Sequence, residues 1–308
     1  MSVEEELAGL TPKKGMLLTI GVFDGVHLGH KQLLSKLVEQ AKHENLISGV
    51  VTFKQHPQCL LAPQPGFPFL TNLPQKIKLI KDEGVDVIIT LSFTLELAQI
   101  GAGQFVKLLQ QYLNMRGMVL GPDFTLGRNR EGNADVLCKL GQSMNFKLII
   151  IPQIAVNGEV VSSTAIRNEL AKGDMEKVNR MLGRFFSLEG RVISGIGRGA
   201  EIGFPTANLD IEPERALPAD GIYATLAYSD NKRYYSVTNI GNRPTFGENE
   251  RTVEVYIINY QGDLYRHQLK IDIIKKLRDE KKFDTSEELK RQIEDDIGQA
   301  NSILDRLS

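Results

Sequence analysis

The chain has 308 residues, 42% hydrophobic and 24% charged, with a formal net charge of −1. That length suits two domains better than one core. The near-neutral charge argues against a nucleic-acid polyanion as partner, and no apolar run approaches the ~20 residues that span a bilayer.

The opening MSVEEELAGL is acidic and lacks the basic-then-apolar order of a signal peptide, so a reducing cytoplasm is the expected setting. The two cysteines, Cys59 and Cys138, have no neighbour at zinc-ligand or redox-pair spacing. They are expected to be buried free thiols, with a disulfide as the alternative.

In chain order, Met16–Ile20 reads as a strand ending at Gly21. Leu33, Leu34, Leu37, Val38 and Ala41 then share one helix face. Residues 50–53 read as a strand. Thr71 or Asn72 caps a helix with Pro74 in its first turn, Ile77 and Ile80 buried, and Gly84 as its stop. Strands are expected at 85–91, 118–120 and 148–151, and helices at 104–115, 134–144, 164–171 and 175–182. This alternation implies a doubly wound, Rossmann-like parallel sheet covered on both faces, with ligands at the carboxyl ends of its strands.

The pattern changes near Gly183, which sets domains at 1–183 and 184–308. From there to about residue 275 the signals are strands and Gly/Pro turns, without a good helix. Residues 222–228, 234–239, 252–259 and 268–274 look extended, and a small antiparallel β-barrel is the expected fold. A long terminal helix follows. Thr285 and Glu288 have capping-box spacing, and Leu289, Ile293, Ile297, Ile303 and Leu304 form its apolar stripe.

The first candidate site is Gly21-Val22-Phe23-Asp24-Gly25-Val26-His27-Leu28-Gly29-His30. Glycines let backbone approach a ligand closely. The following helix N-terminus offers free N–H groups and a positive dipole end. No Gly-Lys-Ser/Thr occurs, so this is not a P-loop. A His-x-Gly-His element instead sets imidazole donors on ATP phosphates, where charge shifts during adenylyl transfer. A plain strand–helix turn is the ordinary alternative. Ser162-Ser163-Thr164-Ala165-Ile166-Arg167 opens a helix with hydroxyls, for which capping by Ser163 is the ordinary reading.

The second candidate combines Gly195-Ile196-Gly197-Arg198-Gly199 with Gly203-Phe204-Pro205-Thr206-Ala207-Asn208. The glycine spacing is not the dinucleotide fingerprint, and no helix pattern follows. A Gly-rich flap over a nucleotide remains. Thr206 and Asn208 share one face of an extended segment, and two hard oxygens beside ATP phosphates suit Mg²⁺. An Asx-type turn around Pro205 is the alternative. Glu254 shares a strand face with Thr252 and Tyr256, opposite Val253, Val255 and Ile257. By itself it would be a solvated strand glutamate.

Taken together these motifs resemble the prokaryotic bifunctional riboflavin kinase/FAD synthetase family, from about residue 15 to 300. Also matching are Thr52-Phe53, His56-Pro57, Gly121-Pro122-Asp123-Phe124, and Arg128 with Arg130. Further along come Leu217-Pro218-Ala219-Asp220-Gly221-Ile222-Tyr223, Ile240-Gly241-Asn242-Arg243-Pro244-Thr245-Phe246, Gly262-Asp263-Leu264-Tyr265, Leu277-Arg278-Asp279-Glu280 and Phe283.

The resemblance implies that riboflavin plus ATP gives FMN, and FMN plus a second ATP gives FAD and pyrophosphate. It assigns Gly21, Phe23, Asp24, Gly25, His27, His30, Ser163, Thr164 and Arg167 to ATP in the adenylyltransferase. His56, Pro57, Asp123 and Phe124 lie towards its flavin, although core packing is an alternative for Phe124. Gly195, Gly197, Gly199, Pro205, Thr206 and Asn208 bind ATP in the kinase, with Mg²⁺ on Thr206 and Asn208. Glu254 is the base, and Arg278, Glu280 and Phe283 contact the flavin. Gln55, Leu126, Ala200-Glu201 and Asn259-Tyr260 depart from the family pattern. A monomer or weak homo-oligomer is expected. The alternatives are a nucleotidyltransferase for another phosphate ester, with the barrel as a substrate module, and a flavin-binding sensor without turnover.

Overall fold

The computed structural model describes residues 2–9, 12–61, 68–195, 198–230, 232–242 and 251–307. It divides into two compact units, Met1–Ser163 and Thr164–Ser308. The first runs α1 (Val3–Ala8), β1 (Met16–Ile20), α2 (Leu28–His43), β2 (Ile47–Phe53), α3 (Gln58–Leu61), α4 (Leu73–Asp82), β3 (Val87–Leu91), α5 (Leu95–Gln99), α6 (Ala102–Leu113), β4 (Met115–Leu120), α7 (Ala134–Met144) and β5 (Lys147–Ile150). A small hairpin follows, β6 (Ala155–Val156) with β7 (Glu159–Val160).

Its five main strands are parallel and ordered β3-β2-β1-β4-β5. The chain winds outward from β1 through β2 and β3, then crosses to the other side for β4 and β5. The winding direction therefore reverses between β1 and β4, where a doubly wound sheet opens its ligand crevice. Neighbouring strand residues feed opposite cores, as the two-residue period requires. Leu18, Val51 and Met118 join one apolar cluster, while Leu17, Val50 and Val119 join the other.

Local chemistry sets the helix ends. Asn72 accepts a hydrogen bond from Gln75 N–H at 3.0 Å and caps α4. Asn114 takes the left-handed conformation (φ 48°) and stops α6 at Leu113, so β4 begins at Met115, earlier than expected. On α4 the buried positions are Lys76 and Ile80, and Ile77 is only half-buried. Cys59 and Cys138 are free but exposed, which corrects the expectation of buried thiols. Leu137 and Gly141 hold the inner face of α7, and Cys138 lies ~100° round the helix from Leu137.

The second unit contains α8 (Ser163–Lys172, which starts on the last residue of the first unit), α9 (Met175–Leu182), β8 (Phe186–Ile193), α10 (Arg198–Glu201), β9 (Ala207–Asp210), β10 (Gly221–Ser229), β11 (Lys232–Asn242), β12 (Arg251–Ile257), β13 (Gln268–Arg278) and α11 (Ser286–Leu304). The strands close an antiparallel barrel in the order β10-β11-β12-β9-β8-β13. Closure leaves no open edge. The single turn of α10 falls in the stretch expected to lack helix.

Asn179 on α9 docks that helix on the barrel. Its amide donates to Ile273 O (3.0 Å) and Ile274 O (3.2 Å) and accepts from Phe186 N–H (2.7 Å). Over the strands β10 and β11, α11 packs Ala300 and Leu304 against Ala224, Leu226 and Val237. Thr285 caps α11 by accepting from Glu288 N–H, but Glu288 reaches back to Asp284 N–H rather than to Thr285. Half of the expected capping box is thus displaced by one residue.

Candidate active sites

In the first unit the loop after β1 lies at the carboxyl edge of the sheet, at the reversal point. Its backbone is strained: Phe23 (φ 52°) and Val26 (φ 37°) both occupy the left-handed region without being glycine. Both side chains are buried and anchor this conformation in the core. Asp24 is also buried, and its carboxylate accepts from Leu70 N–H (2.9 Å), Thr71 N–H (3.1 Å) and the Thr71 hydroxyl (3.3 Å). The Thr71 hydroxyl oxygen in turn accepts from Gly25 N–H (3.0 Å). Ser163 Oγ donates to the Asp24 carbonyl (2.8 Å). In these contacts Asp24, Thr71 and Ser163 clamp the loop.

His27 is the N-cap of α2 and is buried. Its Nδ1 accepts from His30 N–H at 3.3 Å, so the proton of the neutral ring resides on Nε2. The two imidazoles stack with centroids 3.7 Å apart and planes 17° apart. Phe23 flanks His30 at 5.0 Å. A Cβ at Gly29 would come within 3.1 Å of His27 Cε1, so glycine gives the imidazole its room. The result is two ring donors at a helix N-terminus, a ready anion site. Thr164 and Arg167, also expected there, sit on the opening turns of α8 and belong to the second unit.

His56 and Pro57 follow β2, and Asp123 and Phe124 follow β4. Those strands flank β1, so both segments lie at the same sheet edge as the loop. His56 Nδ1 accepts from Gln58 N–H (3.2 Å). Asp123 accepts from Gln153 Nε2. Phe124 is partly buried against the apolar cluster beneath it.

In the barrel, strand register assembles the second site. Asn208 on β9 stands opposite Glu254 on β12, and Asn239 on β11 stands opposite it from the other side. Directly opposed residues share a face, so Glu254 is bracketed by two amides. Glycines shape the flap. A Cβ at Gly195 would intrude on the Asn208 amide, and one at Gly199 would meet the Phe204 carbonyl with Thr206 Oγ1 3.4 Å away. Gly197 and residues 243–246 lie outside the described residues. Pro205 and Thr206 border a cavity of about 310 Å³, whose other walls include Val192, Ile193, Tyr260 and Leu264. The sequence reading named Tyr260 and Leu264 by resemblance but did not join them with Val192 and Ile193 into one wall, because the two stretches lie far apart in the chain.

The oxygens of Thr206 and Asn208, with Asn208 buried and fixed in register beside Glu254, form a hard donor set that fits Mg²⁺ with few protein ligands. Asn239 also escaped the sequence reading. Its Oδ1 is buried with no hydrogen-bond partner among the described residues, while its side chain bonds Glu280. Burial raises the Glu280 carboxyl above its usual range, and nearby Asp220 adds to this. Arg278 is held by Asp296 of α11 in a two-pronged contact at 2.9 and 2.8 Å, and Asp296 is 2% exposed. The guanidinium also lies 5.8 Å from the Phe283 ring.

A histidine pair at the helix mouth of a doubly wound sheet, joined in one chain to a barrel carrying a threonine, an asparagine and a strand glutamate, defines a two-site transferase that uses nucleotides. The FAD synthetase family matches residues 10–165 and the riboflavin kinase family residues 182–304. A bifunctional riboflavin kinase/FMN adenylyltransferase of Escherichia coli is 35% identical, over 92% of this chain and 90% of that one. The protein of the same description from Pseudomonas fluorescens is 34% identical over 98% of both. A solved chain titled macrolide-efflux protein from Streptococcus pneumoniae has a TM-score of 0.88 at 28% identity, covering 94% of this chain and 95% of that one. Among the described residues here, no helix is long and apolar enough to cross a membrane. The chain belongs to the bifunctional riboflavin kinase/FMN adenylyltransferase family.

Proposed function

We propose that the barrel phosphorylates riboflavin to FMN and that the parallel-sheet unit adenylylates FMN to FAD, each step using one ATP, in the cytoplasm. The functional halves are taken as residues 1–183 and 184–308. The observation that carries this reading is the presence, in separate compact units, of a stacked histidine pair at a helix N-terminus and of a strand glutamate opposed in register by Asn208.

In the kinase step Glu254 accepts the proton of the riboflavin 5′-hydroxyl as its oxygen attacks the γ-phosphorus, and the bond to ADP breaks. Thr206 and Asn208 would hold Mg²⁺, which supplies neutralising charge to the transferring phosphoryl group. The cavity beside Thr206 takes the nucleoside end of ATP, with Gly195 and Pro205 at its edge, and Gly197 and Gly199 are the further glycines of the motif assigned to ATP. Phe283 and Glu280 close on the isoalloxazine. Arg278, braced by Asp296, supports Phe283 from below.

In the adenylyl step an oxygen of the FMN phosphate attacks the α-phosphorus of ATP. The bond to the bridging oxygen breaks and pyrophosphate leaves, with no covalent enzyme intermediate. His27 donates from Nε2, and His30 stands beside it over the opening of α2, so their donors meet the growing negative charge. Ser163, Thr164 and Arg167 serve as the second phosphate motif, with Arg167 offsetting β- and γ-phosphate charge. His56, Pro57, Asp123 and Phe124 border the flavin.

The test is a coupled assay with riboflavin, ATP and Mg²⁺. Glu254→Ala should remove most FMN formation and leave FAD formation from supplied FMN. His30→Ala should do the reverse. Equal loss of both activities in either variant refutes separate sites, and tight flavin binding without product would favour a sensor.

A further inference from the structure

We infer that Lys76 is a positioning residue of the adenylyltransferase site, holding the strained nucleotide loop in its phosphate-binding shape from beneath. This rests on the reading that the loop from Gly21 to His30 receives ATP.

Lys76 projects from α4 into the interior and is 6% exposed. Its ammonium donates to the Phe53 carbonyl at 2.8 Å and the Val22 carbonyl at 3.2 Å. Those two carbonyls terminate β2 and open the nucleotide loop, so one cation ties the carboxyl ends of two adjacent strands together. The Thr52 hydroxyl donates to the same Val22 oxygen at 3.2 Å. Val22 immediately precedes Phe23, the first of the two left-handed residues. A backbone held in such a conformation persists only where its surroundings over-determine it. From the other flank, Leu70 and Thr71 grip the Asp24 carboxylate. Lys76 has an electrostatic role as well. Carbonyl oxygens at the carboxyl edge would repel an incoming triphosphate, and an ammonium bonded to two of them offsets that repulsion without touching the ligand.

Burial lowers the Lys76 ammonium to about 8, with the Asp24 carboxylate pulling the other way. The surrounding titratable groups are identifiable. Asp24 faces it from the loop, and His27 and His30 follow on the loop and α2. Lys54, next to Phe53, turns its ammonium to Glu6. Glu83, just past α4, pairs with Lys31 of α2. Strand β3, against which α4 packs, carries no titratable side chain.

The experiment uses the full chain; calorimetry of the parallel-sheet unit's own melting transition checks that this unit is folded, and kinase activity on riboflavin checks the barrel. FAD formation from FMN and ATP is measured for Lys76→Met and Lys76→Arg between pH 6.5 and 9.5. The expected result for Lys76→Met is a loss of about 10- to 100-fold in kcat/KM for ATP in FAD formation, with kinase kcat/KM within twofold of the parent. The parent should lose FAD-forming activity above about pH 8. Lys76→Arg should recover much of the neutral-pH rate and keep it to pH 9.5, because a guanidinium does not deprotonate there. Full FAD-forming activity in Lys76→Met overturns the inference. If that variant does not fold, an alkaline limb in Lys76→Arg unchanged from the parent overturns it equally.

Discussion

Replacing Arg278 with methionine isolates one buried charge in the barrel unit. Asp296 accepts three hydrogen bonds from Arg278, at 2.9, 3.2 and 2.8 Å, and one from Gln292 at 3.1 Å. At 2% exposure its carboxylate has almost no water to replace the guanidinium. Leaving a buried carboxylate without its partner costs about 3–5 kcal/mol. For a domain of this size each kcal/mol moves the melting temperature by roughly 3–4 °C. Arg278→Met should therefore lower the melting transition of the barrel unit by about 9–20 °C in calorimetry of the full chain. The double variant Arg278→Met with Asp296→Leu should recover most of that loss, because the orphaned charge is gone. A drop under about 3 °C in the single variant, or no recovery in the double, refutes the reasoning. The riboflavin KM of the double variant then tells whether Arg278 acts only through Phe283 or contacts flavin itself.

Three shorter predictions follow from packing and charge. Gly195→Ala places a Cβ against the Asn208 amide, with Asn208 Cγ at 2.9 Å, and the buried asparagine must shift. Riboflavin phosphorylation should fall about 100-fold while FAD formation from FMN stays within twofold, measured by chromatography of the flavins. Gly29→Ala crowds the His27 ring at 3.1 Å and should reverse that selectivity, lowering FAD formation at least about tenfold. Glu6→Gln tests a pH dependence. Burial raises the Glu6 carboxyl, but bonds from Lys54 and Ser92 outweigh it and hold the group below the ordinary 4.5. A depressed carboxylate contributes stability above its unfolded value, and that contribution disappears as pH falls through the folded one. The variant should thus be less stable than the parent at pH 7 and show a flatter decline below pH 4.5 in urea titrations.

Much of this was legible in the sequence because the determinants are local. A cap needs one side-chain oxygen and the next turn's N–H, so Asn72 and Thr285 announced α4 and α11. A two-residue alternation shows directly in a strand, as in Val253, Val255 and Ile257 of β12. The spacing of His27, Gly29 and His30 brought the two rings together, since the stacked pair and its cap lie within four consecutive residues. Local pattern was silent on β8, which carries Glu189, Gly190 and Arg191 and becomes a strand by closing a barrel with distant partners. It was silent too on which polar residues lie inside, Lys76 of α4 and Asp296 of α11 among them. Each is buried because an oxygen pair or a guanidinium, brought in from elsewhere in the chain, satisfies it there. The bracketing of Glu254 by Asn208 and Asn239 has the same origin. Residues 46 and 15 positions away in the chain meet it only once strand register is set, and register belongs to the assembled barrel rather than to any one strand.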